Sequence, residues 1–316
     1  MSDISVIVCT HNPRLDQLRR TVGSLAAQTL SRREWELLLV DNASDERVET
    51  SADLSWHPRA RYVREDELGL TAARMRGVKE ASGALLVFVD DDNVLAPNFL
   101  AEALRILAAF PYLGAFGAGR LEPEFEVAPP PEILPRVRLL AIRSVESARW
   151  SNNPADHGII PWGAGLCVRR RVAESYRDVV STHDVSATLD RKGRHLFAGG
   201  DDLFSWVASA RGEGFGIFPQ LRVTHLIGAD RLTQSYFLRL IHDHAFSQGI
   251  LQFGMAGTRP RRIDAFRCAH LAIHGLRNGW FALRCQWAES LGEHRAARFI
   301  AERAMMPSEL SERIRS

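Results

Sequence analysis

The chain has 316 residues, with 40 Lys and Arg against 38 Asp and Glu, and it is 46% hydrophobic and 25% charged. Those fractions exclude a mainly disordered or fibrous chain, and the near-balance of charge predicts no polyanionic partner beyond a local basic patch. The length suits one large α/β domain with an appendage, or two modest domains.

No run of about 18 uncharged apolar residues is present to span a bilayer. Met1-Ser2-Asp3 leads directly into an apolar strand, which predicts no secretory leader. Cys9, Cys167, Cys268 and Cys285 are widely separated and form no Cys-x-x-Cys, as expected of thiols in a reducing cytoplasm.

In chain order, residues 4–8 predict a short strand, and Leu15, Leu18, Val22 and Leu25 at three- and four-residue steps predict a helix to about Gln28. Trp35 to Val40 predicts a second strand that stops at Asp41-Asn42-Ala43-Ser44. Strand, helix and strand at this length make a parallel βαβ unit. A weaker strand at 61–63 and a helix from Leu70 to Ala81 precede Ala84-Leu85-Leu86-Val87-Phe88-Val89, a run that reads as a strand buried on both faces.

Pro97 opens a helix to about Pro111. Residues 122–135 carry five prolines and predict an irregular crossing, and 136–161 predict loop with a turn or two of helix. Trp162 to Val168 predicts a strand entered through a glycine turn, and Gly200 to Arg211 a helix. Residues 216–219 and 222–226 predict two short extended pieces. The main domain is expected to end near Gly228, with halves at 1–120 and 121–228. Three helices then follow, over about 236–251, 263–292 and 293–305.

Three strand ends carry polar clusters, at 10–13, 41–45 and 90–93, where an open α/β sheet keeps its chemistry. Asp90-Asp91-Asp92 is the densest. One of these carboxylates could cap the following helix, but crowding of three calls for a cation, and a hard divalent metal bridging substrate phosphates supplies it.

Ser5-Val6-Ile7-Val8-Cys9-Thr10-His11-Asn12, then Leu38 to Ser44, then Leu86 to Asp92 resemble, in this order and spacing, the nucleotide-binding half of family 2 glycosyltransferases of GT-A fold. Gly163-Ala164-Gly165 with Arg169-Arg170, and Gly200-Asp201-Asp202, extend the resemblance to about residues 4–226. It implies a Rossmann-like mixed sheet, mainly parallel, with helices on both faces and a C-terminal helical extension. The activity implied is transfer of a sugar, with inversion, from a nucleoside-diphosphate donor to an acceptor hydroxyl, as in surface polysaccharide, glycolipid or other glycoconjugate synthesis.

The roles implied by the resemblance fall on individual positions. Asp41 corresponds to the acid that bonds the nucleotide base, with Thr10, His11 and Pro13 lining the same pocket. Arg74 falls near the diphosphate, although Met75 replaces an Asn of the family pattern, and a plain exposed helix arginine is the alternative. Asp90 and Asp92 match Asp-x-Asp. Asp92 is then the first ligand to Mn²⁺ or Mg²⁺, His225 a further ligand, and Asp90 and Asp91 face the nucleotide. Asp201 is the implied general base, with Asp202 the alternative because Gly-Gly-Asp-Asp stands in place of Gly-Glu-Asp.

Ordinary structural readings accompany each position. Asp41 suits a turn, His225 a strand end, and Asp201 or Asp202 a helix cap. Trp162 is either an acceptor-stacking ring or a core tryptophan. His242 and His244, two residues apart, do not share a helix face as a metal pair would. The basic, aromatic stretch 259–284 reads as a helical pack with solvated arginines or as a peripheral contact with an anionic membrane at the cytoplasmic face.

Two rival functions predict different features. A sugar nucleotidyltransferase predicts a glycine-rich loop after the first strand, which Thr10 to Arg14 is not. A non-catalytic sugar-nucleotide-binding module predicts donor binding without turnover.

Overall fold

The computed structural model describes residues 3–181, 200–263 and 279–303. Two compact units divide the chain. One holds Met1–Glu124, Leu140–Ala187 and Gly200–Ile227, and the other Phe125–Leu139, Thr188–Gly199 and Gly228–Ser316.

The first unit is a mixed sheet with helices on both faces. Its parallel part is β1 (Ile4–Thr10), β2 (Trp35–Asn42), β3 (Ala60–Glu65) and β4 (Leu85–Asp90), in the spatial order β3-β2-β1-β4. Every residue of β1 and β2 is buried, as continuous apolar runs require of strands covered on both sides. Alternate side chains serve the two layers. Ile4, Val6 and Val8 pack with Leu18, Val22 and Leu25 of α1 (Leu15–Ala26) and with Phe99 and Ala103 of α3 (Phe99–Ala109). On the opposite face Ile7 abuts Gly77 of α2 (Leu70–Glu80), and Phe88 lies 5.3 Å from Phe204.

Beyond β4 antiparallel pairing takes over. A tight turn leads from β4 into β5 (Asn93–Leu95). After α3 the chain forms β6 (Leu113–Phe125), a 3₁₀ turn at Leu134–Leu140, and the short strands β7 (Arg143–Ser144) and β8 (Arg149–Ser151). β9 (Leu166–Arg169) inserts between β4 and β6, and β10 (Gly214–Ile227) runs between β6 and β5. The helices α4 (Arg170–Ser181) and α5 (Gly200–Ala210) cover this side, where Tyr176 stacks on Phe204 at 3.8 Å.

Three stretches of this unit carry structure that the sequence pattern does not announce. Gly114 to Gly119 is part of a long strand; a Cβ at Gly119 would press against the backbone of Phe218, so the glycines serve close packing. The two extended pieces at 216–226 form one strand that continues through Pro219. A helix, α4, follows Arg169 where none was predicted.

The second unit includes α6 (Gln234–Ala256) and α7 (Trp280–Glu302). The break expected at Gly292 is absent. Gly292 lies inside α7 because a Cβ there would run into the His242 carbonyl of α6, so it marks a close helix crossing. Phe266, Arg267, Cys268, Leu271, Ile273, Leu276 and Arg277 lie outside the described residues. Among those described, no helix is long and apolar enough to cross a membrane.

Candidate functional site at the carboxyl ends of the strands

The parallel strands deliver their polar clusters to one sheet edge. At the end of β1, buried Thr10 donates its hydroxyl to the Asp91 carboxylate. His11 is exposed, and its ring Nδ1 lies 2.7 Å from the Asn42 carbonyl, to which its N–H donates. Asn12 turns the chain with φ 47°, a conformation Asn tolerates, and its N–H donates to Ser44 Oγ at 2.9 Å. Pro13 follows directly.

Asp41, 6% exposed, ends β2 and faces Arg64 across the parallel pair at 2.7 Å. Burial alone would raise its pKa; the Ser44 hydrogen bonds and the Arg64 guanidinium outweigh burial and hold it below the usual carboxylate range. Arg64 was not singled out from the sequence. Its signal is the register of a weak strand, which becomes readable only once β2 and β3 are paired.

Asp90 ends β4, and Asp91 and Asp92 form the turn into β5. Thr21 of α1 donates to the Asp91 carbonyl at 2.9 Å and anchors that turn. Because β5 pairs antiparallel with β10 in the register Asn93↔His225, the buried His225 ring is brought to Asp92, with Nε2 3.3 Å from Oδ2. Asn93, fully buried, donates to Asp92 Oδ1 at 2.8 Å, and its own Oδ1 has no hydrogen-bond partner.

Among the described residues no group of three or more His, Cys, Asp or Glu is arranged to hold a metal. Asp92, His225 and the Asn93 amide oxygen could offer a carboxylate, an imidazole and a carbonyl-type oxygen to a cation. That set fits a divalent cation whose remaining ligands are substrate phosphate oxygens and water, and does not fit an all-protein cage.

Arg74 is 5% exposed, not the exposed helix residue that was the alternative. Its Nη1 lies 2.7 Å from Asp201 Oδ1, across 127 residues of chain. Burial opposes its charge, and Asp201 first and Asp90 next overcome it and push the pKa above the usual arginine value. Asp201 Oδ2 also accepts from the Gly163 N–H at 2.8 Å. A Cβ at 163 would press on the Arg74 guanidinium and sit 3.1 Å from Asp201 Oδ1, so a larger residue there would displace the pair. Asp201 and Asp202 occupy the first turn of α5, where backbone N–H groups favour negative charge.

Trp162 is partly buried against the core, and the Arg143 guanidinium lies 3.6 Å from its ring centroid. Arg143 also donates to the Ile160 carbonyl at 2.8 Å. Burial, reinforced by Arg149, lowers the Arg143 pKa to about 10. Burial pushes the Cys9 thiol up to about 12, which disfavours its thiolate.

Residues 5–146 match the family described as Glycosyl transferase family 2. Among curated relatives, the uncharacterized glycosyltransferase YwdF of Bacillus subtilis is 34% identical over 102 residues, 32% of this chain and 37% of that protein. Validoxylamine A glucosyltransferase of Streptomyces hygroscopicus subsp. jinggangensis is 34% identical over 107 residues, 32% of this chain and 24% of that protein. The chain thus spans well under two thirds of these relatives.

Among solved structures, the mannosyltransferase PcManGT from Pyrobaculum calidifontis, in complex with GDP-Man and Mn²⁺, superposes with a TM-score of 0.57 at 16% identity, covering 94% of this chain and 86% of that one. Residues 5–146 therefore carry a glycosyl transferase family 2 match on an α/β fold of GT-A type, and Asp201 and His225 lie downstream of the matched stretch.

Proposed function

We propose that the chain transfers a sugar, with inversion, from a nucleoside-diphosphate donor to an acceptor hydroxyl. The observation that carries this reading is the Arg74 side chain, which pairs with Asp201 while feeling the charge of Asp90. It ties a candidate base to the carboxylate-rich edge.

In this reading Asp41, Thr10, His11 and Pro13 hold the nucleoside, and Asp90, Asp91 and Arg74 face the sugar diphosphate. Asp92 and His225 hold Mn²⁺ or Mg²⁺, which when bound neutralises charge on the leaving diphosphate. Asp201 accepts the acceptor's proton as the new bond forms. Arg74 and the Gly163 N–H orient its carboxylate, and each oxygen retains a second lone pair. Asp202 lies next to it on the same helical turn, and Trp162, backed by Arg143, receives the acceptor. The GDP-Man and Mn²⁺ bound by the archaeal neighbour support a donor and a metal of this class.

The test is thermal stabilisation by UDP and GDP with and without Mn²⁺ or Mg²⁺. Stabilisation that requires the metal is expected, and none under any condition sinks the donor-site reading. A screen of sugar nucleotides for turnover then separates transfer from a binding module.

A further inference from the structure

We propose that the exposed stripe of α7 docks on the headgroups of an anionic lipid bilayer. Trp280, Arg284, Trp287, Leu291, Arg295 and Arg298 recur along this helix at steps of four, three, four, four and three. At ~100° per residue they stay within an arc of about 80°. All six are exposed, Trp280 by 73%, Trp287 by 40% and Leu291 by 38%. The buried positions Cys285, Gly292, Ala296 and Ile300 lie on another face of the same helix.

Single exposed apolar side chains need no explanation, but two tryptophans and a leucine in register along one helix do. Beside them is a cavity of about 320 Å³ between Leu238 and Arg239 of α6 and Arg284, Trp287 and Leu291 of α7. It is an open groove whose wall is apolar apart from Arg239, His242 and Arg284.

The charge on this surface is predominantly basic. Arg239 and Arg284 line the groove, Arg295 and Arg298 continue along the helix, with Arg295 stacked over Phe246 at 4.8 Å, and Glu302, the one acid on the same arc of α7, pairs with Arg298 at 3.0 Å. Arg284 donates to the Gln234 side-chain oxygen at 3.2 Å, and Gln234 in turn donates to Glu132. Glu289 and Glu293 fall on other faces of α7 at the same rotation per residue.

Indoles settle at the level of lipid headgroups, and arginines are drawn to anionic phosphates. A stripe of cations and apolar side chains spread along residues 280–298 follows a plane, whereas a protein hot spot gathers its anchors in one central pocket. Of the basic segment 259–284, residues 264–278 lie outside the described residues; the surface argued from here runs along 280–298.

The full-length protein is tested, without donor or metal, by co-sedimentation with phosphatidylcholine vesicles with and without phosphatidylglycerol. Binding is expected only with phosphatidylglycerol, weakening as salt rises, with a blue shift of tryptophan fluorescence. R239E/R284E should bind about tenfold or more weakly, and W280A/W287A should lose the blue shift, both with wild-type circular dichroism. Absence of binding at low salt, or binding unchanged in both variants, overturns the proposal. A concentration-dependent dimer abolished by W280A/W287A, without vesicle binding, overturns it in favour of a second copy. Because no donor is present, the result stands apart from the glycosyltransfer reading.

Discussion

The Arg74 guanidinium and the Asp201 carboxylate form a 2.7 Å ion pair, with the arginine side chain 6% exposed and the aspartate 29% exposed. Removing one partner of a buried pair leaves the other uncompensated. The partial exposure of Asp201 lets water recover some of that loss, so Arg74→Ala should cost about 2–3 kcal/mol and sharply reduce transfer. Urea unfolding and initial rates check this; a variant with wild-type stability and rate would show that the pair is incidental.

Asp41 and Arg64 should behave alike at smaller scale. Arg64→Ala removes the cation that helps hold Asp41 ionised, and nucleoside diphosphate binding should weaken several-fold if Asp41 reads the base. Calorimetric titration with UDP and GDP measures it. Unchanged affinity for both would leave Asp41 as a turn residue.

A third prediction concerns two glycines. Gly292 sits against the α6 backbone, so Gly292→Ala should overpack the helix pair and cost about 1–3 kcal/mol. Gly23 in α1 has nothing within 4 Å of a would-be Cβ. Gly23→Ala should therefore stabilise by roughly 0.4–1 kcal/mol through unfolded-state entropy and helix propensity. Paired thermal melts decide both signs.

His57, 3% exposed and 4.2 Å from the Trp35 ring, has its pKa lowered to about 4 by burial first and by Arg32 and Arg59 next. With the folded value below the ordinary 6.5 of a solvated histidine, the unfolded chain takes up the proton first. The contribution of His57 to stability is fully present above about pH 6.5 and is lost as pH falls toward about 4, on the order of 2 kcal/mol. Denaturant titrations across that window should show the loss, and His57→Phe should flatten it. A wild-type profile already flat between these pH values contradicts the assignment.

The parallel half of the fold was legible because β1, β2 and β4 are apolar runs that end in polar clusters, and such runs have few other uses. The antiparallel half was not. β6 is threaded by Gly114, Gly117 and Gly119, and β10 passes through Pro219; residues that normally punctuate strands serve there as packing surfaces. In the candidate site, Asp92 and His225 were both singled out, but their meeting depends on the Asn93↔His225 register, which no local pattern reveals. The burial of Arg74 was equally hidden, since it follows from a partner 127 residues away. Gly292 reads as a helix end on propensity alone and is a contact point in the structure.

The central claim is that Asp92 belongs to the donor and metal end of the site and Asp201 to the proton-accepting end. Calorimetric titration of UDP and GDP in Mn²⁺, on Asp92→Asn and Asp201→Asn, followed by transfer assays on both, tests it most directly. The account predicts that Asp92→Asn loses metal-dependent affinity by about tenfold or more, while Asp201→Asn binds within about twofold of wild type and transfers no sugar. Intact metal-dependent binding in Asp92→Asn together with lost binding in Asp201→Asn would contradict it.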